Sequence, residues 1–145
     1  MRPRSLRLVV YDATDTGAVI PVYRDMVIPR ITRDADGTAH GTGGLTRWWR
    51  IGASMHRLGR ADATLGACSW SEALRWATQV ARDRGAKIAE LQAWGHGGFG
   101  YMGMRDTRLD VDTMIGKRGL ASDLDDLRDV LTDDALIWLR CCSAF

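Results

Sequence analysis

Twice along this chain, an amphipathic helix signal passes through a short turn into a nearly unbroken apolar stretch. A helix that feeds directly into such a stretch is the αβ half of a βαβ unit. A strand apolar on both faces belongs inside a parallel sheet with helices on each side. The first unit starts at Ser69, where Glu72 completes a capping box in which each side chain satisfies a backbone N–H at the helix start. Trp70, Ala73, Leu74, Ala77, Val80 and Ala81 recur at helical spacing, predicting a helix over 70–84, and Gly85 supplies a left-handed exit. Ile88 to Trp94 then reads as a strand stopped by Gly95-His96-Gly97-Gly98. In the second unit Ser122 to Asp125 carries the start signal, with Leu124, Leu127, Val130 and Leu131 on the apolar face of a helix over 122–131. Ala135 to Leu139 is its strand, running into Arg140-Cys141-Cys142.

Leu6 to Tyr11, rich in β-branched residues, reads as an earlier buried strand, with Asp12, Asp15 and Gly17 ending it and turning the chain. Phe99 to Met104 suits a small hairpin beyond the histidine. Residues 34–68 read as a long loop: Asp36-Gly37 and Gly41 to Gly44 are turn chemistry, and Trp48, Trp49, Ile51, Met55 and Leu58 follow no clean period. The expected fold is therefore α/β, a three-layer sandwich around a mainly parallel sheet. The 145 residues suffice for one domain, 1–145, and not for two ordinary ones.

Composition narrows the function. The net charge of +2 comes from 20 basic and 18 acidic residues spread along the chain, which leaves no cationic stripe for nucleic acid. The apolar run near the N-terminus ends at Tyr11, too short for a membrane span or a signal-peptide core. No membrane partner is expected. Three cysteines, two of them adjacent, make a poor disulfide framework and point to a reducing cytoplasm.

Asp15-Thr16-Gly17-Ala18 resembles the catalytic aspartate loop of retropepsin-like aspartic proteases, and Met114-Ile115-Gly116-Lys117-Arg118 looks like the element crossing behind that loop. That family is an all-β homodimer whose two aspartates share a proton. Two helix-to-strand units contradict it, so a retropepsin using Asp15 is the lesser alternative.

In an open parallel sheet, reactive groups collect beyond the carboxyl ends of the strands, and both units deliver one there: His96 and Cys142. A cysteine becomes a good nucleophile when a histidine takes its proton, and the same imidazole can protonate the leaving amine. "IAELQAWGHGG" and "ALIWLRCC", with His96 about 46 residues before Cys142, resemble the histidine and cysteine blocks of clan CD cysteine peptidases, the caspase–haemoglobinase fold. The likeness is closest to bacterial caspase-like domains. It implies a thiol protease with His96 as general base, Cys142 as nucleophile, and the N–H groups of Gly97 and Cys142 as oxyanion donors. Arg140, two residues before the nucleophile, is the candidate pocket residue for an acidic side chain; Asp12 and Asp15 are candidates for a basic one. Caspases read Q-A-C-x-G where this chain reads Arg140-Cys141-Cys142-Ser143-Ala144, so Cys142 is preferred to Cys141 only because it lies further past the strand.

The caspase fold continues beyond its cysteine. The resemblance therefore implies a large-subunit-like portion acting on a protein or peptide substrate, with a second chain or C-terminal fragment completing the fold. The alternative is a caspase-fold binding or assembly module whose His-Cys pair is inactive. No cofactor is expected, and no metal: Cys68, His96, Cys141 and Cys142 lack zinc-ligand spacing, and the vicinal pair lacks the spacer of redox motifs. Cys68 reads as packing, and Asp123, Asp125, Asp126 and Asp129 as the solvated face of a helix.

Overall fold

The computed structural model of the protein describes residues 5–15, 31–40, 44–105 and 107–141. In chain order the elements are β1 (Ser5–Asp12), β2 (Thr32–Arg33), β3 (Ala39–His40), α1 (Thr46–Arg57), β4 (Ala63–Ala67), α2 (Trp70–Asp83) and β5 (Lys87–Trp94). These are followed by β6 (His96–Gly98), β7 (Tyr101–Met104), β8 (Thr107–Asp110), α3 (Val111–Met114), α4 (Ala121–Arg128) and β9 (Leu131–Arg140). Four strands form one parallel sheet in the order β4-β1-β5-β9. The fold is α/β with a mainly parallel sheet flanked by helices, as the helix-to-strand units predict. It is not the all-β architecture that the Asp15 tetrapeptide resembles.

β1 shows why its sequence is apolar throughout. Leu6, Leu8 and Val10 join Ile88, Leu91 and Ala93 against Trp70, Leu74, Ala77, Leu124 and Leu127 of α2 and α4, while Val9 and Tyr11 face the other way, with Trp94, onto Ala53 of α1. Period-two alternation sends successive side chains to opposite faces, so a strand between two helical layers needs apolar residues at both. The connection from β1 to β4 carries α1 on one face, and those onward to β5 and β9 carry α2 and α4 on the other. β1 and β5 are thus adjacent strands whose crossover helices lie on opposite faces of the sheet, a topological switch point.

α2 follows its sequence closely. The Ser69 hydroxyl accepts the Glu72 N–H at 3.2 Å, and Gly85 takes the left-handed turn at φ +54°. The reciprocal bond falls one residue earlier than in a standard capping box: Glu72 accepts the N–H of Cys68 at 2.8 Å.

Three expectations change. Residues 34–68 are not a loop: they hold β3, α1 and β4. The helix was obscured because the face it turns to the sheet is mostly small or polar: Thr46 and Ala53 are buried and Trp49, Gly52 and His56 partly so, while Trp48 and Met55 are exposed. α4 starts at Ala121 with Leu120 as an N-cap lacking a side-chain bond, so Ser122 is not the cap; it ends at Arg128 rather than 131. The sheet claims the difference, since the Val130 carbonyl accepts Ile88 N–H at 2.8 Å and Leu131 is already strand. Asp123 is not on a solvated face. It is 5% exposed and accepts bonds from the Ser71 hydroxyl at 2.6 Å and Arg75 Nε at 2.8 Å, tying α4 to α2.

Beyond β5 the hairpin expected at Phe99 to Met104 is a three-stranded antiparallel sheet, β6-β7-β8, which includes His96 itself. No helix among the described residues is long and apolar enough to cross a membrane.

Candidate active site

The ends of β1 and β5 bring His96, Asp12 and Asp15 together. The closeness of this approach is set at Gly95, the bend between β5 and β6. A Cβ there would stand 2.9 Å from Met102 Cε and 3.3 Å from both Asp12 Cβ and the Gly103 carbonyl, so only glycine lets the histidine strand lie this close to the end of β1.

His96 Nε2 lies 3.2 Å from Asp15 Oδ1; the ring is 46% exposed and the carboxylate 10%. Trp49 of α1 meets the imidazole edge-on, with centroids 5.2 Å apart at 72°. The other Asp15 oxygen accepts the Leu45 N–H at the start of α1. Asp15 N–H donates to Thr46 Oγ1 at 3.2 Å, and the Thr46 hydroxyl donates to the Asp12 carbonyl at 2.9 Å. α1 has no side-chain cap of its own, so Asp15 supplies an acceptor from the β1 loop and is itself fixed by the helix start. A carboxylate held in this way orients an imidazole through one nitrogen and leaves Nδ1 as the ring nitrogen available for proton transfer.

Asp12 is 2% exposed, and its Oδ1 accepts both the N–H and the hydroxyl of Thr14, at 2.8 and 2.5 Å. Burial pushes its carboxyl above the ordinary value, against the Thr14 bonds and the nearby His96. Asp12 is locked in its turn by Thr14, and Asp15 is engaged by His96 and the start of α1. Gly97 lies in β6 opposite Met102. The Arg140 guanidinium lies over Trp138 at 4.8 Å and Trp94 at 5.9 Å, and the side chain is exposed at the end of β9 on the α1 side of the sheet.

Of the cysteines, Cys142 lies outside the described residues. Cys141 packs with Leu139 against the cluster under α2 and α4, whereas His96 meets Trp49 of α1 on the opposite side. Cys68, beyond β4, is half-buried with its sulfur 3.6 Å from Arg33; burial pushes its thiol up, the reverse of activation. No cluster of metal-ligating side chains occurs among the described residues.

Thr46, Trp49 and the Leu45 N–H are site groups that the sequence reading missed. They sit in the stretch taken for loop, and no motif marks them. Comparison of the chain with known protein families and with curated proteins gives no match. The site therefore stands on its own geometry.

Proposed function

We propose that the protein is a cysteine peptidase of the caspase-like kind, with His96 as general base and Cys142 as nucleophile. The observation that carries this reading is the Asp15-held imidazole just past the end of β5. The packing of Cys141 on the side of the sheet away from Trp49 favours Cys142 over Cys141 as the thiol of the pair.

In this mechanism, Nδ1 of His96 accepts the Cys142 thiol proton as sulfur attacks the peptide carbonyl. The N–H groups of Gly97 and Cys142 receive the developing oxyanion. Collapse of the tetrahedral intermediate breaks the C–N bond, and His96 returns the proton to the departing amine, leaving a thioester. Water, deprotonated by the same nitrogen, hydrolyses that thioester and restores the thiol. Asp15 touches no reacting atom and acts by holding the ring in one tautomer. A reducing cytoplasm suits a nucleophile that must stay a thiol.

Incubating the protein with a mixture of cellular peptides and reading new termini by mass spectrometry tests the proposal. Cleavages made by the wild type and lost in both Cys142→Ser and His96→Ala support it. An unchanged peptide mixture, or cleavage that survives Cys142→Ser, overturns it. The exposed edge of β9 favours a second reading, an assembly module on the same fold, in which peptide cleavage is absent and self-association remains.

A further inference from the structure

At the β4 edge of the sheet, a cavity of about 400 Å³ lies between α1 and the β2–β3 hairpin. That volume is within the range of small-molecule sites. None of the groups placed around His96 lines it, and Ala53 is its only aliphatic side chain among the described residues.

The hairpin wall is fixed from outside. Arg33 Nη1 donates to the Gly37 carbonyl at 2.9 Å and to Glu72 Oε1, in the first turn of α2, at 2.5 Å. At the hairpin turn, Asp34 N–H donates to the Thr38 carbonyl at 3.0 Å and Asp36 Oδ1 accepts the Thr38 N–H at 3.2 Å, which sets both carboxylates on this wall. Gly66 of β4 lets the hairpin close in. A Cβ there would overlap the Ala39 carbonyl oxygen and stand 2.9 Å from the Tyr11 ring.

Tyr11 faces α1 from β1, lines the cavity and is 2% exposed. A buried phenol ordinarily has a hydrogen-bond partner, yet among the described residues the Tyr11 hydroxyl has none. Arg50 and Arg57, two helical turns apart on α1, likewise make no hydrogen bond or salt bridge among the described residues. The phenol lies in the field of Arg50 and of both carboxylates, so charges of each sign converge on it.

Two guanidiniums and two carboxylates give the cavity two poles and no net charge. A phosphate or other plain anion would be repelled by Asp34 and Asp36, and a bare cation by the arginines. A molecule carrying one group of each sign satisfies both poles.

We propose that this cavity binds a free α-amino acid, with its carboxylate on Arg50 and the Tyr11 hydroxyl and its ammonium against the Asp34 and Asp36 wall. The carboxylate supplies the acceptor that the phenol lacks, and its bonds to Arg50 are charge-assisted. Binding is independent of any peptidase chemistry.

Isothermal titration calorimetry of the full chain with each standard amino acid tests this, with the rise in unfolding temperature as a second readout. The expected result is saturable one-site binding of at least one amino acid, with Kd about millimolar or tighter. Its N-acetyl derivative, which lacks the ammonium, and its amide, which lacks the carboxylate, should each bind roughly tenfold or more weaker. Arg50→Gln should weaken binding roughly tenfold or more and Tyr11→Phe roughly threefold or more, with the fold retained because neither change removes packed volume from the core. Absence of saturable binding by every amino acid in both readouts overturns the proposal. So does binding that survives N-acetylation or is indifferent to both substitutions. Inorganic phosphate binding as tightly as the best amino acid also overturns it and assigns the arginines to a plain anion.

Discussion

Asp15 holds His96 through one oxygen and the start of α1 through the other, so its amide isostere separates charge from shape. Asp15→Asn is expected to slow alkylation of Cys142 by roughly tenfold or more, since the imidazole loses its fixed tautomer, and to cost about 1 kcal/mol through the weakened helix start. Alkylation kinetics and urea unfolding measure the two effects separately. Asp123 carries a structural charge instead. Burial alone would raise its carboxyl, but the Ser71 hydroxyl and Arg75 outweigh that and hold it below the ordinary value. The stability it contributes is present above the unfolded carboxylate range and is lost as pH falls through its folded pKa. Unfolding midpoints of wild type and Asp123→Asn should therefore differ at neutral pH and converge in acid. Tyr11 has the opposite sign. Burial pushes its phenol up to about 12 from 10.0, against the pull of Arg50, so the unfolded chain ionises first. Stability should fall between these values by roughly 2–3 kcal/mol, a loss that Tyr11→Phe abolishes in alkaline unfolding curves. At this scale the sequence singled out His96 through its glycine setting, whereas Asp15 was read as a strand terminator, a pocket candidate and the aspartate of a retropepsin-like loop, never as a partner of His96. The role of Asp15 needs α1, which arrives 31 residues later in the chain at Thr46.

At the scale of elements, α1 rests on the sheet through a close approach that its sequence does not advertise. A Cβ at Gly52 would come within 2.7 Å of the Trp94 ring, which belongs to the β5 end that leads into His96. Gly52→Ala is expected to cost about 1–3 kcal/mol by overpacking, read from the urea midpoint. It should also slow Cys142 alkylation, because displacing α1 moves Trp49 and Leu45 from the imidazole and Asp15. The contrast between α1 and α2 explains what sequence could show. α2 buries Trp70, Ala73, Leu74, Ala77, Thr78 and Ala81 along one stripe and carries its own cap; α1 buries Thr46 and Ala53 and takes its cap from a distant loop. α1 is amphipathic through its exposed arginines, Arg47, Arg50 and Arg57, and not through an apolar stripe, so a search for apolar spacing passes over it. The far end of α4 misled for a related reason: Leu131 continues an apolar spacing that serves a strand instead.

The whole molecule places its chemistry by topology. A four-stranded parallel sheet sets β1 and β5 side by side, and the residues just past those strands, Asp15 and His96, meet. The parallel sheet was legible from the apolar runs of β1, β5 and β9, whereas β4 lay in the stretch read as loop; the strand order was not legible, since order depends on which face each crossover takes. Site-resolved alkylation of the native protein across pH, with adducts at Cys68, Cys141 and Cys142 assigned by mass spectrometry in wild type and His96→Ala, tests the central claim most directly. A His96-held nucleophile predicts fast modification of Cys142 at neutral pH, slow modification of Cys68 and Cys141, and loss of the Cys142 advantage in His96→Ala. Equal rates at all three cysteines, unchanged by His96→Ala, would contradict it.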